Sequence, residues 1–354
     1  MSVHLNKLSI ENFRCIKQAS FNPNEKINLI LGCNGSGKTS ILESLQVLTS
    51  GRCFRTARID HLKNFSSDSF TIAGCFCSKY NNNILNIGFR RADKASYARY
   101  DGVPVKRISD ITKKIPIIFF NSETINIIDG EAVFRRNYID WWLFYSKKIF
   151  HEEWLNYQRL IRQRNACLRN DPKLLNAWDH LLAESSEKID LLRKTAFQEI
   201  FHEFENHNLY SYEFEYYSGW PKNQSIISAL ERNKLRDIKY GFTSVGSHRA
   251  DIRISFHGKN VKEIGSRGQK KILSLLLLFA LASLMKKFFG EAPIFLADDI
   301  AAEVDEFHRQ QILEKMIKLD GQLFFTAIDS KDLDLSLHTS LNKFVVKDGQ
   351  VNML

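Results

Sequence analysis

Cysteine is sparse and unpatterned in this 354-residue chain. Its six cysteines (Cys15, Cys33, Cys53, Cys75, Cys77, Cys167) include no C-x-x-C pair and no Cys/His grouping at zinc spacing. That argues against a disulfide framework and a structural zinc site, and leaves reduced thiols. Cys75 and Cys77 share one face of a predicted strand, but nothing downstream completes a metal site. Proline and glycine are scarce too, at 6 and 17. No flexible linker, low-complexity tract or internal repeat divides the chain, so regular elements are expected to dominate. The opening MSVHLNKLSIENF lacks the apolar core of a secretion signal. The longest apolar run, Ile272 to Met285, is broken by Ser274 and Ser283 and falls short of the ~20 residues a bilayer requires. The expectation is a cytoplasmic protein with one greasy core helix and no membrane partner.

What is abundant is positive charge. Fifty Lys+Arg against 40 Asp+Glu give a net charge of +10, which favours a polyanionic partner such as nucleic acid. With 44% hydrophobic and 25% charged residues, the chain has enough apolar material for one large domain with an inserted lobe, or for two domains.

Residues 5–12 and INLIL (27–31) read as strands, the second apolar enough to be buried on both faces. ILESLQVLTSG (41–51) places Ile41, Leu42, Leu45 and Leu48 on one helical face and stops at glycine. From 69 to 107, short alternating runs are separated by NNN (81–83) and Asp101-Gly102, the pattern of an antiparallel meander. KIPIIFF (114–120) is again a buried strand. Between 131 and 206 the period becomes helical, and Trp141, Trp142 and Trp154 read as core of that lobe. YSYEFEYY (210–217) alternates as a half-buried strand, and 250–264 reads as a hairpin turning near Gly258. The remainder alternates PIFLADD, a helix over 303–319, QLFFTAID and KFVVKDGQV. The boundaries drawn are 1–125, a mainly helical lobe at 126–235, and 236–354.

GCNGSGKT (Gly32–Thr39) fits G-x-x-x-x-G-K-[ST] between a strand and a helix. Its glycines let backbone N–H groups turn toward phosphates. Lys38 reaches the β and γ oxygens, and the Thr39 hydroxyl ligates Mg²⁺ at a helix N-terminus that favours anions. PIFLADDI (293–300) ends in two carboxylates: Asp298 is placed for the magnesium shell, and Asp299 for orienting or deprotonating water. Ser266-Arg267-Gly268-Gln269, more than 200 positions later than the glycine loop, precedes an apolar helix. Its hydroxyl and free N–H groups form a second anion site.

Together with the AEVD turn (302–305), this set resembles an ABC-type ATPase, in which the signature of one head covers the ATP held by another. LSIENFR, GRCFRT (51–56), RRNYID (135–140), RQRNACL (162–168), YYSGW (216–220), GFTSVGSHRADI (241–252), SRGQKK and LADDIAAEVD follow one another as in the RecF family of bacterial recombination mediators, over essentially the whole chain. The fold implied is α/β: an ABC-type head with a P-loop, a mixed sheet and an antiparallel β-meander, carrying an inserted helical lobe and no long coiled coil.

The resemblance implies that Gly32, Cys33, Asn34, Gly35, Ser36, Gly37, Lys38, Thr39 and Ser40 bind ATP with Mg²⁺, with Arg14 near the phosphates. Lys38, Asp298 and Asp299 carry catalysis, Thr39 and Asp298 the metal, and Ser266, Gly268 and Gln269 act across an ATP-dependent homodimer. It further implies binding to DNA gaps and junctions, slow hydrolysis as a release switch, and work with RecR, RecO and RecA. Arg52, Arg55 and Arg58 are DNA candidates, as are Arg159, Arg162, Arg164 and Arg169, for which a solvated helix face is the competing reading. Arg135 and Arg136 either anchor the lobe or meet a neighbour, and His248 is a core or hinge residue.

The chain departs from the family's Gly-Pro-His-Arg-Asp-Asp at Ser247 and Ala250, from Phe-x-Pro-Glu-Asp over Asn121–Thr124, and at Ala302, where serine is usual. A transporter ATPase would carry Leu-Ser-Gly-Gly-Gln, a shorter gap from signature to acidic strand, and a histidine after the next strand, where this chain has Asp329. A long-armed chromosome-maintenance ATPase needs hundreds of heptad residues between Lys38 and Ser266, and an overcoming-lysogeny-defect nuclease an extra acidic metal domain. A structural ATP-dependent DNA clamp with negligible hydrolysis stays open beside the ATPase.

Overall fold

The computed structural model describes residues 3–56, 58–78, 83–206, 211–333, 335 and 340–354, with only the backbone of Glu303. Met1, Ser2, Lys79, Tyr80, Asn81, Asn82 and Tyr210 of the stretches above lie outside the described residues. In chain order the elements are β1 (Val3–Phe13), β2 (Ile16–Phe21), β3 (Ile27–Leu31), α1 (Lys38–Ser50), β4 (Phe70–Ser78), β5 (Ile84–Ala92), β6 (Ala95–Tyr100), β7 (Val103–Pro104) and β8 (Ile117–Phe120). Then follow α2 (Ala132–Ser146), α3 (Phe150–Asn170), α4 (Leu175–Glu205), β9 (Tyr212–Tyr217), α5 (Ile226–Tyr240), β10 (Asp251–Phe256), β11 (Lys259–Asn260) and α6 (Arg267–Phe289). The chain ends in β12 (Ile294–Ala297), α7 (Glu306–Lys318), β13 (Leu323–Ala327), β14 (Leu341–Lys347) and β15 (Gln350–Met353). The chain divides into two compact units, residues 1–124 with 275–354, and residues 125–274.

The first unit holds two sheets. One is antiparallel in the order β2-β1-β4-β5-β6-β7; the other runs β15-β14-β3-β13-β12-β8 and is parallel except for β15. Every residue of β3, β12 and β13 is buried, as unbroken apolar runs in a covered parallel sheet require. Helix α1 packs against strands of both sheets, so it is buried all round rather than on the single face its leucine spacing indicated. The meander turns at Asp93-Lys94 and Asp101-Gly102 with positive φ at each residue, the twist-matched hairpin geometry. A bulge interrupts the β1–β4 ladder between Leu5 and Lys7. There the Gln322 amide donates to the Leu5 carbonyl (2.9 Å) and accepts from the Leu5 N–H (2.7 Å), so both buried backbone groups are satisfied.

The second unit extends to Ser274, beyond the 235 drawn from helical period alone, because β9 pairs with β10 in a three-stranded sheet. The expected hairpin over 250–264 is shorter than its sequence indicated. Its return strand is only Lys259–Asn260, and Val261–Ile264 forms a helical turn because the Asn260 side chain accepts from the Lys262 N–H. Trp142 is fully buried and Trp154 stacks on Tyr157. Helix α6 is 23 residues, longer than its apolar run and apolar enough by composition to cross a bilayer. Two-thirds of its most apolar window is nevertheless buried, as befits a core helix.

Four arginines organise this unit. Arg164 is not a surface cation. It is fully buried, bonded to Asp179 of α4 (2.6 Å), Asp237 of α5 (2.8 Å) and Thr243 (2.9 Å). Arg193 grips both carboxylate oxygens of Asp140 and the Ser247 carbonyl. Arg135 pairs with Asp251, and Arg136 donates to the Ala250 carbonyl, so both anchor the lobe. His248 lies between the Tyr157 hydroxyl and the Thr243 carbonyl. Burial pulls its pKa down to about 4, so at neutral pH it is an uncharged core histidine.

Replacing Arg164 by alanine leaves two buried carboxylates facing one another. We expect Arg164→Ala to lower the unfolding free energy by about 3–5 kcal/mol, read by urea denaturation. All five tryptophans fall in the second unit, so their fluorescence reports on it selectively.

Candidate active site

The parallel strands β3, β13 and β12 end side by side, which brings the glycine loop after β3 next to the acidic turn after β12. Gly37 caps α1 at φ 116, where a Cβ would also meet the Cys15 sulfur at 3.0 Å, so only glycine fits there. Helix α1 has no side-chain cap and no acid in its first turn. Its leading N–H groups are therefore left for an oxyanion.

Lys38 is buried, and its ammonium donates to the Gly32 (2.6 Å) and Cys33 (3.1 Å) carbonyls. Those carbonyls stand in for solvent around a cation that would otherwise be costly to bury. Thr39 donates to the Asp298 carboxylate (2.9 and 3.0 Å), which also accepts from the Thr326 hydroxyl (2.7 Å). Three hard oxygens from three elements thus meet, a donor set that fits Mg²⁺. Asp299 adopts a left-handed conformation at φ 50, and its N–H donates to Thr326.

The cavity in front of the loop has a volume of about 550 Å³. Of the expected residues, Arg14, Asn34, Gly35, Gly37, Lys38, Thr39, Ser40, Asp298 and Asp299 line it. Gly32, Cys33 and Ser36 are not among the lining residues. The first two lend carbonyls to Lys38, and the Ser36 carbonyl accepts from Gly349 N–H. Arg55, read from sequence as a DNA contact, lines the cavity 3.8 Å from Asp298. His61, Lys63 and Phe65 line it without having been singled out, and so does Ser122, one of the positions that depart from the family's pattern.

Behind this wall lies a residue that periodicity concealed. Glu43 of α1 has no exposed surface, yet it accepts two bonds from Arg14 (both 3.1 Å) and the Cys53 S–H (3.3 Å), with Arg55 at 3.7 Å. Burial and the nearby Glu43 charge push the Cys53 thiol up, so it stays protonated. The available signal was the one acid in the helix KTSILESLQVLTS, set between Leu42 and Leu45 of its apolar face. Thr326 gave a similar one, the only hydroxyl in LFFTA.

Ser266, Gly268 and Gln269 sit exposed at the start of α6. The Ser266 hydroxyl accepts from Gln269 N–H (3.2 Å), and the Gln269 side chain accepts from Ser266 N–H (2.9 Å). This reciprocal capping box corrects the expectation of a wholly free knuckle: the serine oxygen already caps its helix. Arg52, Arg58, Arg159 and Arg162 are exposed. Among the described residues, Arg159 and Arg162 bond to Asn156 and the Gln158 carbonyl of their own helix, and Arg169 bonds to the Gly241 carbonyl.

Residues 4–350 match the family described as RecF/RecN/SMC N terminal domain. The chain is 35% identical to the DNA replication and repair protein RecF of Teredinibacter turnerae, covering 99% of this chain and 96% of that protein. A solved structure of the recombination mediator protein RecF with ATP, from the RecFOR pathway, superposes with a TM-score of 0.88 at 26% identity, covering 100% of this chain and 98% of that one. An Smc head domain derived from Pyrococcus furiosus shares the fold, with a TM-score of 0.57 at 16% identity over 99% of this chain and 96% of that one.

Glu43→Gln keeps the shape of the side chain and removes the charge that aims Arg14 and Arg55. The expected result is about a tenfold weaker affinity for a nucleoside triphosphate, equivalent to ~1.4 kcal/mol, measured by titration calorimetry. Unchanged affinity in a folded variant would show that Glu43 does not position them.

Proposed function

The chain belongs to the RecF family, within the RecF/RecN/SMC N-terminal domain class, and on that premise we propose that it is a DNA-binding ATPase of replication and recombinational repair. In this reading ATP drives two copies together on gapped or single-/double-strand junction DNA. Slow hydrolysis lets them part, and RecR, with RecO and RecA downstream, acts beside the protein in the cytoplasm. What supports it most is the convergence of Lys38, Thr39, Asp298 and Asp299 on one cavity.

The chemistry follows from exchange of internal partners. Lys38 leaves its two loop carbonyls for the β and γ oxygens, while the α1 N-terminus and Arg14 take further phosphate charge. Thr39 and Asp298 would hold Mg²⁺, which when bound neutralises charge on those oxygens. Asp299 orients the attacking water and accepts its proton. Ser266, Gly268 and Gln269 of a second copy complete the γ-phosphate shell, so ATP favours the dimer only if its terminal phosphate is better bound there. Phe65 is fully exposed on a turn fixed by Asn64, whose N–H and side chain donate to the Asn12 and Arg14 carbonyls. Its ring gives the base a stacking surface.

Light scattering in the presence of a non-hydrolysable ATP analogue should give twice the monomer mass for wild type, and the monomer mass with ADP. Ser266→Ala, which costs its own helix about 1 kcal/mol of capping, should stay monomeric while remaining folded. A wild type that is monomeric with both nucleotides would overturn the switch, as would a Ser266→Ala protein that dimerises normally. Phe65→Ala should weaken ATP binding about tenfold, within the range for base stacking, and leave inorganic tripolyphosphate binding unchanged. Equal losses for both ligands would rule out the base contact.

A further inference from the structure

A second recess, of about 610 Å³, shares His61 and Lys63 with the nucleotide cavity. Its remaining charged lining is Arg58, Asp60, Arg91 and Lys94, so four basic side chains face one acid. Asp60 forms the anchor. It accepts from Arg91 Nε (3.0 Å) and Nη2 (2.6 Å) and pairs with Lys63 (3.0 Å). The hydrogen bonds from Arg91, then Lys63, hold its carboxyl well below the usual range, so this anchor stays ionised.

Arg58 and Lys94 are different. Arg58 precedes the short turn Ile59–Leu62, and Lys94 projects from the left-handed turn between β5 and β6. Both are exposed, and neither has a carboxylate within ion-pair distance among the described residues. The free charge is thus spread over two separate elements instead of converging on a point. A lone phosphate is held by converging donors; a row of phosphates suits cations set apart along an open recess. The α3 arginines offer less, since Arg159 and Arg162 already donate to their own helix.

We propose that this recess seats the phosphodiester backbone of DNA, and that its shared wall lets DNA and nucleotide sense one another. The inference rests on the DNA-binding reading above and narrows it to a place. The physical link is short. The Leu62 carbonyl accepts from the Arg14 N–H (2.8 Å), and Asn64 donates to the Arg14 carbonyl (2.6 Å). A shift of the 61–64 segment therefore reaches the arginine that faces the phosphates.

The test is fluorescence anisotropy on a labelled gapped duplex over a series of salt concentrations, with the double variants Arg58→Glu/Lys94→Glu and Arg159→Glu/Arg162→Glu. The recess variant should bind at least tenfold more weakly, with the slope of log affinity against log salt reduced by about 2. It should bind ATP normally without DNA and lose any DNA effect on ATP turnover. The α3 variant should stay within twofold of wild type. DNA binding by wild type that the recess variant retains would overturn the location and leave the function standing. No DNA binding by wild type would overturn both. Displacement of DNA by polyglutamate at equal charge would show a general acid-binding patch and overturn the commitment to DNA.

Discussion

A single buried carboxylate constrains the nucleotide-facing half of this molecule. Glu43 sits inside α1 with no exposed surface, where an unpaired charge would cost several kcal/mol. Its partners come from two other segments, Arg14 at the end of β1 and Cys53 and Arg55 in the stretch after α1. The pairing that makes the helix tolerable to bury therefore also fixes two guanidinium groups at the mouth of the phosphate loop. Arg14 is held further by a left-handed backbone and by its bonds to Leu62 and Asn64. Cations oriented in advance need no reorganisation when charge arrives, which is where electrostatic sites derive most of their effect.

The same economy governs the loop itself. Lys38 is satisfied by two carbonyls, Thr39 by Asp298, and Asp298 by Thr326 as well. In the proposed function a triphosphate and a divalent ion would displace these contacts, so net affinity would be a difference between similar terms. Small additions then matter. A terminal phosphate that gains one charge-assisted bond in a dimer shifts the equilibrium by a factor of ten for each ~1.4 kcal/mol of preference. A nucleotide switch needs no large movement of the loop, only a partner group that ATP reaches and ADP does not.

Much of this was legible in the sequence, for reasons that differ by element. The glycine loop declares itself because only glycine tolerates its backbone, and β3, β12 and β13 because double-sided burial leaves no polar residue to interrupt them, save Asn28 and Thr326. Glu43 was hidden because helical periodicity weighs apolar residues and passes over the acid among them. Arg164 was misplaced for a related reason: an arginine in a list carries no sign of whether its partner is water, phosphate or a carboxylate more than 70 positions away, as Asp237 is. The end of the second unit was set too early because it depends on β9 pairing with β10, a long-range register that local pattern does not encode.

Of the departures from the family's pattern, those at 247 and 250 are tied through backbone carbonyls and that at 121–124 through side chains of the turn itself. Arg136 and Arg193 hold the 247–250 turn through the carbonyls of Ala250 and Ser247, groups that every residue type supplies. Ser247 adds a bond of its own, donating to the Ser186 carbonyl at 2.8 Å. Ala250 is completely buried, a position where a carboxylate would require a new partner; the neighbouring Asp251 is retained and answered by Arg135. At the other departure, Thr124 accepts from Asn121 N–H and Asn121 accepts from Glu123 N–H, so the turn closes on its own side chains. Substitutions of this kind alter how the scaffold is tied while Lys38, Thr39, Asp298 and Asp299 keep their positions around one cavity.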